Sequence, residues 1–267
     1  MRLASSGAPW YCQQAADLQG LVRRRGPAMS APVHIDWDKV GRIGLYTVPM
    51  AAKLIGESGT KIRSWIDGYS NSDATPIIRR QLPPINGRTV LGFLDLIEAR
   101  FVRHFDRLGL SPQSIRKVAD KLRERHHTDH PFATNKRFRT DGKKIFMEIV
   151  ETDEERKILN LMNDNFEMGT VIEASLFDSI LYADDLANRW HPVRELPRVV
   201  LDPQYAFGRP VIEEAWVPTD TLYGAFEAER KVAIVAEDFD IDQDAVNQAI
   251  AFEERLQAGA GVEDQIG

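Results

Sequence analysis

A short stretch near residue 60 carries the side chains best suited to chemistry. Hydroxyl, ammonium and guanidinium groups there could donate hydrogen bonds to phosphate oxygens and base edges. The interleaved apolar residues Ile62, Trp65 and Ile66 recur at helical spacing, so they predict one buried face. The polar side chains would then point outward as candidate DNA contacts: Thr60, Lys61, Arg63 and Ser64.

Local signals predict two short helices in this stretch. Thr47 can cap the first helix, which Pro49 opens and Gly56 ends where a positive φ is cheap. Ser58 can cap the second helix, starting near Gly59. Two helices joined by a tight turn are typical of a helix-turn-helix, whose second helix enters the major groove. The alternative is an ordinary helical hairpin whose cations are solvated.

Residues 76–88 predict a basic β-ribbon. The dipeptide Asn86-Gly87 is a strong turn signal between two flanks. Three arginines, Arg79, Arg80 and Arg88, would suit contacts with DNA phosphates. A surface loop with three solvated arginines remains the alternative.

Longer elements follow the ribbon. Apolar spacing predicts an amphipathic helix over about 90–108, and Ser111-Pro112 predicts a second helix to about residue 125. Residues 138–150 favour a hairpin turning at Asp141-Gly142.

The order of these elements resembles the MerR-type winged helix-turn-helix over about residues 44–125. The matching stretches are 46–68, the proline-containing ribbon, 91–98 and 109–117. The resemblance implies that the first helix pair and the wing bind DNA. The chain departs from that family by continuing into the 132–150 segment instead of a long dimerising coiled coil. This departure argues against a metal- or drug-sensing regulator.

Charge is divided along the chain, although the formal net charge is only −6. Residues 48–148 hold 19 Lys and Arg against 11 Asp and Glu, whereas residues 149–267 hold 9 against 26. A basic segment attracts a polyanion, and an acidic one repels it or attracts a basic partner. The division therefore favours a DNA-binding front part and a protein-facing back part.

The sequence signals for a metal site or a catalytic site are weak. His126, His127 and His130 lie close together without a cysteine, and a solvated helix end explains them better than zinc. Three aspartates, Asp178, Asp184 and Asp185, could suggest a metal-dependent nuclease. A solvated acidic surface is the preferred interpretation. We expect no metal, no cofactor and no enzymatic activity.

Residues 196–257 predict a hairpin followed by three short helices. A strand entering Asp202-Pro203 and its return over 208–212 form the hairpin, and helices should start near residues 220, 232 and 243. This unit resembles a small domain of formerly unknown function in bacterial antitoxin-like proteins, over about 197–256. The motif residues are Pro197, Arg198, Asp202, Pro203, Gly208, Arg209, Pro210, Ile212, Val217, Pro218, Asp238, Phe239, Val246, Ala249 and Ile250.

The combined order resembles large VapB-type antitoxins. In the C-terminal domain, residues 214–216 stand where the family pattern usually has Gly-Thr, so the resemblance assigns no role to this loop. The resemblance implies a PIN-domain ribonuclease toxin as partner and repression of the chain's own operon. The alternative is a stand-alone MerR-like transcriptional regulator without a toxin. Four aromatic residues are candidates for toxin docking, although each is also a core candidate: Trp190, Trp216, Phe226 and Phe252.

The sequence thus predicts a mainly α fold with short β-hairpins. A disordered leader and arm (1–43) precede a winged helix-turn-helix domain (44–150). An acidic linking segment (151–195), a helix-turn-helix-like C-terminal domain (196–257) and a flexible tail (258–267) follow. Met29 is a possible true start. We expect a cytoplasmic homodimer that binds double-stranded operator DNA and does not cross a membrane, since no run of about 18 apolar residues is present.

Overall fold

The computed structural model describes residues 42–68, 75–135, 176–259 and Gly261. Several predictions lie outside these residues. They are the leader over 1–41 with the start at Met29, the 138–150 hairpin, the acidic stretch over 151–175 and most of the C-terminal tail.

The two predicted helices follow a short strand, β1 (Tyr46–Thr47). In α1 (Val48–Ile55), Thr47 Oγ1 accepts a hydrogen bond from Met50 N, and Gly56 ends the helix at φ 73°. In α2 (Gly59–Asp67), Ser58 Oγ accepts from Lys61 N at 3.3 Å. Both caps confirm the sequence prediction.

The predicted ribbon is much smaller than expected. A single β-bridge joins Ile85 to Arg88 around Asn86-Gly87, whose φ angles of 49° and 74° fit a tight turn. The next strand, β2 (Val90–Leu91), pairs antiparallel with β1 instead. This pairing explains why α3 (Phe93–Arg107) begins later than its apolar spacing predicts.

Helix α3 is the central element of the first region. Besides apolar residues, it buries Asp95, Glu98, Arg100 and Arg103. Ser111 caps α4 (Pro112–His126), and a 3-10 turn (Pro131–Ala133) follows. A helix buried on nearly every side must lie between other elements.

A five-stranded antiparallel sheet forms the second region, in the order β3–β4–β5–β6–β7. The strands are β3 (Ile180–Ala183), β4 (Leu186–Trp190), β5 (Val199–Leu201), β6 (Pro210–Ile212) and β7 (Val217–Pro218). The predicted hairpin is β5–β6. Strands β3 and β4 belong to the stretch that we predicted to be a linking segment.

Three helices complete this region, as predicted. They are α5 (Thr219–Glu229), α6 (Val232–Asp238) and α7 (Gln243–Ala258), the last capped by Asp242. The described part is therefore mixed helical with short antiparallel sheets. None of its helices combines the length and apolar character needed to cross a bilayer.

The two regions share one apolar core. Tyr46 donates its hydroxyl hydrogen to the carbonyl oxygen of Gly208 at 2.7 Å, and Leu45 N donates to Phe207 O at 2.9 Å. Arg100 of α3 donates to Leu176 O at 2.5 Å. These bonds fix the helix pair against the β5–β6 turn.

Candidate nucleic-acid interface

Helix α2 is fixed by its buried face. Ile62, Trp65 and Ile66 are each at most 1% exposed, so the helix cannot rotate without opening the core. On the opposite side, Thr60 and Arg63 are exposed, as the spacing predicts. Arg63 forms no ion pair among the described residues. Its guanidinium is therefore the most available charged donor on this helix.

Lys61 is engaged within the protein. Its Nζ lies 2.6 Å from Asp106 Oδ2 and 3.5 Å from Glu57 Oε2. The hydrogen bond to Asp106 raises the pKa of Lys61 against a small opposing effect of burial. Asp106 belongs to the last turn of α3, 45 residues away along the chain. Lys61 was predicted to point freely outward, yet two carboxylates neutralise it.

Ser64 is also engaged within the protein. Its hydroxyl donates to the carbonyl oxygen of Lys61 at 2.7 Å, and the residue is half-buried. Serine hydroxyls in helices often bond backward in this way. The donor is thus satisfied within α2, and only the oxygen lone pairs remain for another molecule.

The predicted wing arginines have unequal surroundings. Arg79 lies 2.6 Å from Asp129 and thereby lowers the pKa of that carboxyl group. Arg80 lies 3.4 Å from Asp67 at the end of α2. Arg88 sits exposed at the Asn86-Gly87 turn and forms no ion pair within the described part of the chain.

Asp67 links α2 to the segment before β2. Its second oxygen accepts a hydrogen bond from Thr89 Oγ1 at 2.7 Å, while its first faces Arg80. These contacts hold the end of the 76–88 segment beside α2. The structure therefore connects Arg80 to the end of α2, whereas Arg79 pairs with Asp129 and Lys61 with Asp106. Among the described residues, Arg63 and Arg88 form no ion pair.

A buried polar cluster behind this surface was not predicted. His130 Nδ1 lies 3.6 Å from Glu98 Oε2 and 3.7 Å from Asp95 Oδ1, which is ion-pair distance but too long for a hydrogen bond. Arg123 approaches Glu98 at 4.0 Å and donates to Ile77 O at 2.5 Å. The carboxylates therefore sit between two cationic groups in the core.

The cluster also supports the base of the 76–88 segment. Asp95 accepts hydrogen bonds from Gly92 N at 2.8 Å and Gln81 N at 3.1 Å. Burial raises the pKa of Asp95 to about 6, although the charge of His130 opposes the increase. Burial disfavours the charged form of His130, but Glu98 and Asp95 outweigh it and raise its pKa. The sequence did contain a signal for this buried cluster, namely two acidic residues, Asp95 and Glu98, three positions apart within an apolar stripe.

The metal and catalytic candidates do not assemble in the structure. His127 ends α4 in a left-handed conformation, while His130 turns into the buried cluster. Asp184 and Asp185 form the β3–β4 turn at φ 50° and 69°. Within the described ranges, no group of three His, Cys, Asp or Glu side chains could hold a metal ion.

The predicted docking aromatics divide into core and surface. Trp190 and Phe252 are fully buried, so these two cannot form a docking surface. Trp216 and Phe226 are only half-buried. Tyr205 and Phe207, which we did not predict, are 37% and 49% exposed in the β5–β6 turn.

Comparisons with known proteins agree with the C-terminal resemblance. A family model described as a protein of unknown function, DUF433, matches residues 199–252. A Mycobacterium tuberculosis protein named "Putative antitoxin VapB45" is 26% identical over 228 residues, which cover 78% of this chain and 93% of that protein. The crystal structure of Rv2018 from the same organism aligns with a TM-score of 0.60 and 24% identity, over 77% of this chain and 96% of that one. The last similarity shows a shared fold.

Proposed function

We propose that this protein is the antitoxin of a toxin–antitoxin pair and represses its own operon. In this proposal α1, α2 and the 76–88 segment act as a winged helix-turn-helix of the MerR type. The role is not enzymatic and needs no cofactor. Similarity to a protein named as an antitoxin, over 93% of its length, supports the general assignment.

One observation carries the DNA-binding part of the proposal. Arg63 stands exposed on a helix whose other face is locked by Trp65, which is 1% exposed. A rigid helix that presents an unpaired guanidinium can place it in the major groove, where arginine reads guanine. In this proposal Thr60 acts beside it as a neutral donor, and Arg88 contacts a phosphate.

The proposed active form is a homodimer in the cytoplasm. Two-fold symmetry would set two copies of α2 about 34 Å apart, one turn of DNA. The preferred operator is then a palindrome in the DNA upstream of the gene. The toxin partner in this proposal is a PIN-domain ribonuclease encoded beside it.

Fluorescence anisotropy with a labelled duplex from the chain's own promoter tests DNA binding. We expect saturable binding that a scrambled duplex of equal length does not reproduce. Absence of binding at low salt would contradict the proposal.

Growth rescue tests the antitoxin role separately. The product of the adjacent gene is expressed in a bacterial host with and without this protein. We expect growth arrest by the neighbour alone and recovery on co-expression. Operator binding without any rescue would instead support the stand-alone regulator.

A further inference from the structure

We propose that a groove beside Trp216 docks a basic segment of a protein partner, and, resting on the proposed function, that this partner is the toxin. The groove lies between the β6–β7 turn and the α6–α7 connection. Its apolar floor comprises Ala215, Val217, Phe239 and Ile241. Each of these four side chains is only partly buried, so apolar surface remains for a partner to cover.

Carboxylates surround this floor. Glu214, Asp240 and Asp242 line the groove, and Asp244 stands at its edge, where Arg198 contacts it at 3.3 Å. The guanidinium of Arg198 also pairs with Glu214 and Asp242. Among the described residues of the groove and its edge, four carboxylates thus face one guanidinium. The surplus of negative charge favours a partner that carries lysine or arginine.

An aromatic stack lies next to the groove along the chain, since Trp216 stands between the lining residues Ala215 and Val217. The rings of Tyr205 and Trp216 lie 3.6 Å apart at 13°, and the guanidinium carbon of Arg189 lies 5.3 Å from the Trp216 ring. Arg189 is held in place by Asp202 at 2.6 Å and Glu213 at 3.0 Å. Tyrosine, tryptophan and arginine dominate the binding energy of protein interfaces. The outer part of Tyr205 is available to stack on an arginine of the partner.

The backbone around this surface is strained. Trp216 has φ 55° and Asp240 has φ 51°, although neither is a glycine. Residues kept in the left-handed region cluster at binding and active sites, because the surrounding structure must compensate for their cost. Asp240 lines the groove, and Trp216 stands between two of its lining residues.

Charge separates a basic protein from the other possible occupants. DNA phosphates would be repelled by the carboxylates around the groove. A second copy docked face to face would bring the same acidic edge against itself. A partner segment that combines basic and apolar side chains would pair with the carboxylates and cover the apolar floor.

The test measures binding of the full chain to the purified product of the adjacent gene by calorimetry. Tyr205→Ala removes the exposed ring, and Asp240→Asn removes one charge while keeping a residue that tolerates positive φ. The controls are Leu181→Ala, which truncates an exposed apolar side chain on β3, and Glu254→Gln, which removes an exposed charge on α7. Thermal unfolding confirms that every variant is folded.

We expect Tyr205→Ala to weaken binding about tenfold or more and Asp240→Asn about threefold, with both controls within about twofold of wild type. If the wild type binds and the two test variants bind as tightly as the controls, the docking surface is wrong but the proposed function stands. Absence of wild-type binding overturns both. Conversion of a dimer to a monomer by Tyr205→Ala would assign the surface to a second copy and overturn the proposal.

Discussion

Two arginines near α2, Arg63 and Arg88, differ in their surroundings from two arginines of the sheet region, Arg189 and Arg198. Arg63 and Arg88 are exposed and form no ion pair among the described residues. In the sheet region, Arg189 and Arg198 each contact at least two carboxylates. The first set can act on another molecule, whereas the second organises its own surface. Local pairing, and not residue counts alone, therefore determines which cations are available.

We expect the largest effect on stability from a substitution at Gly208, whose carbonyl oxygen accepts the hydrogen bond from Tyr46 that joins the two regions. A Cβ at Gly208 would lie 2.9 Å from Tyr46 Cζ, and the residue has φ 80°. We expect Gly208→Ala to lower the free energy of unfolding by roughly 3 kcal/mol, since steric overlap adds to backbone strain. Urea denaturation measures the loss.

Gly87→Ala is the matched control for this substitution. Gly87 has a similar φ of 74°, but a Cβ there would meet no atom within 4 Å. Its cost should be only about 1 kcal/mol. Equal losses at the two glycines would show that Tyr46 yields to the added methyl group at no cost.

Removing the unpaired guanidinium of α2 should affect DNA binding next most strongly. We expect Arg63→Ala to weaken operator affinity about tenfold or more, as loss of an arginine–base contact does. Arg194→Ala removes an equally exposed guanidinium outside α2 and the 76–88 segment. Anisotropy titrations compare the two, and similar losses would mean that Arg63 contributes only general charge.

A substitution next to Lys61 should change operator affinity less than Arg63→Ala does, and in the opposite direction. Asp106→Asn should remove the nearer of the two carboxylates that pair with Lys61 and strengthen operator binding about threefold, with a salt dependence steeper by about one charge. Adding Lys61→Ala should cancel this gain. Titrations at several salt concentrations measure both quantities. A gain that persists without Lys61 would locate the effect in the removed negative charge alone.

The buried cluster predicts a pH-dependent stability. The raised pKa of His130 means that the folded protein holds this proton more tightly than the unfolded chain does. Its contribution is complete below the ordinary pKa of 6.5 and is lost as pH rises through the raised value. Burial raises the pKa of Asp95 to about 6, so this carboxyl also favours the folded state at low pH.

A difference between two proteins tests His130 together with the carboxyl groups coupled to it. Burial lowers the pKa of His104 to about 4, which acts in the opposite direction on the wild type as a whole. We expect the stability advantage of wild type over His130→Gln to be larger near about pH 5.5 than near about pH 8.5. Denaturant unfolding at both pH values measures it, and a constant difference would exclude a charged His130.

Local chemistry made much of the fold predictable. Thr47, Ser58 and Ser111 cap helices where the sequence places them, because an N-cap depends on neighbours two or three residues away. Apolar spacing likewise identified the buried face of α2. The β3–β4 hairpin was missed, since its strands are short and only partly buried and its turn uses two aspartates.

The candidate site was less predictable, since its pairing is tertiary. No local rule could show that Asp106 reaches Lys61 from 45 positions away or that Asp129 reaches Arg79 from 50. The charge division identified the region, and helical spacing identified Thr60 and Arg63. Which cations remain available depended on carboxylates contributed by other elements.

The salt dependence of operator affinity tests the central claim most directly. The wild type and the Arg63→Ala, Arg88→Ala double variant are titrated on the same promoter duplex over a range of salt concentrations. The account predicts tight wild-type binding that weakens steeply with salt, and a log–log slope shallower by about one to two in the variant. Identical slopes and affinities for the two proteins would contradict it.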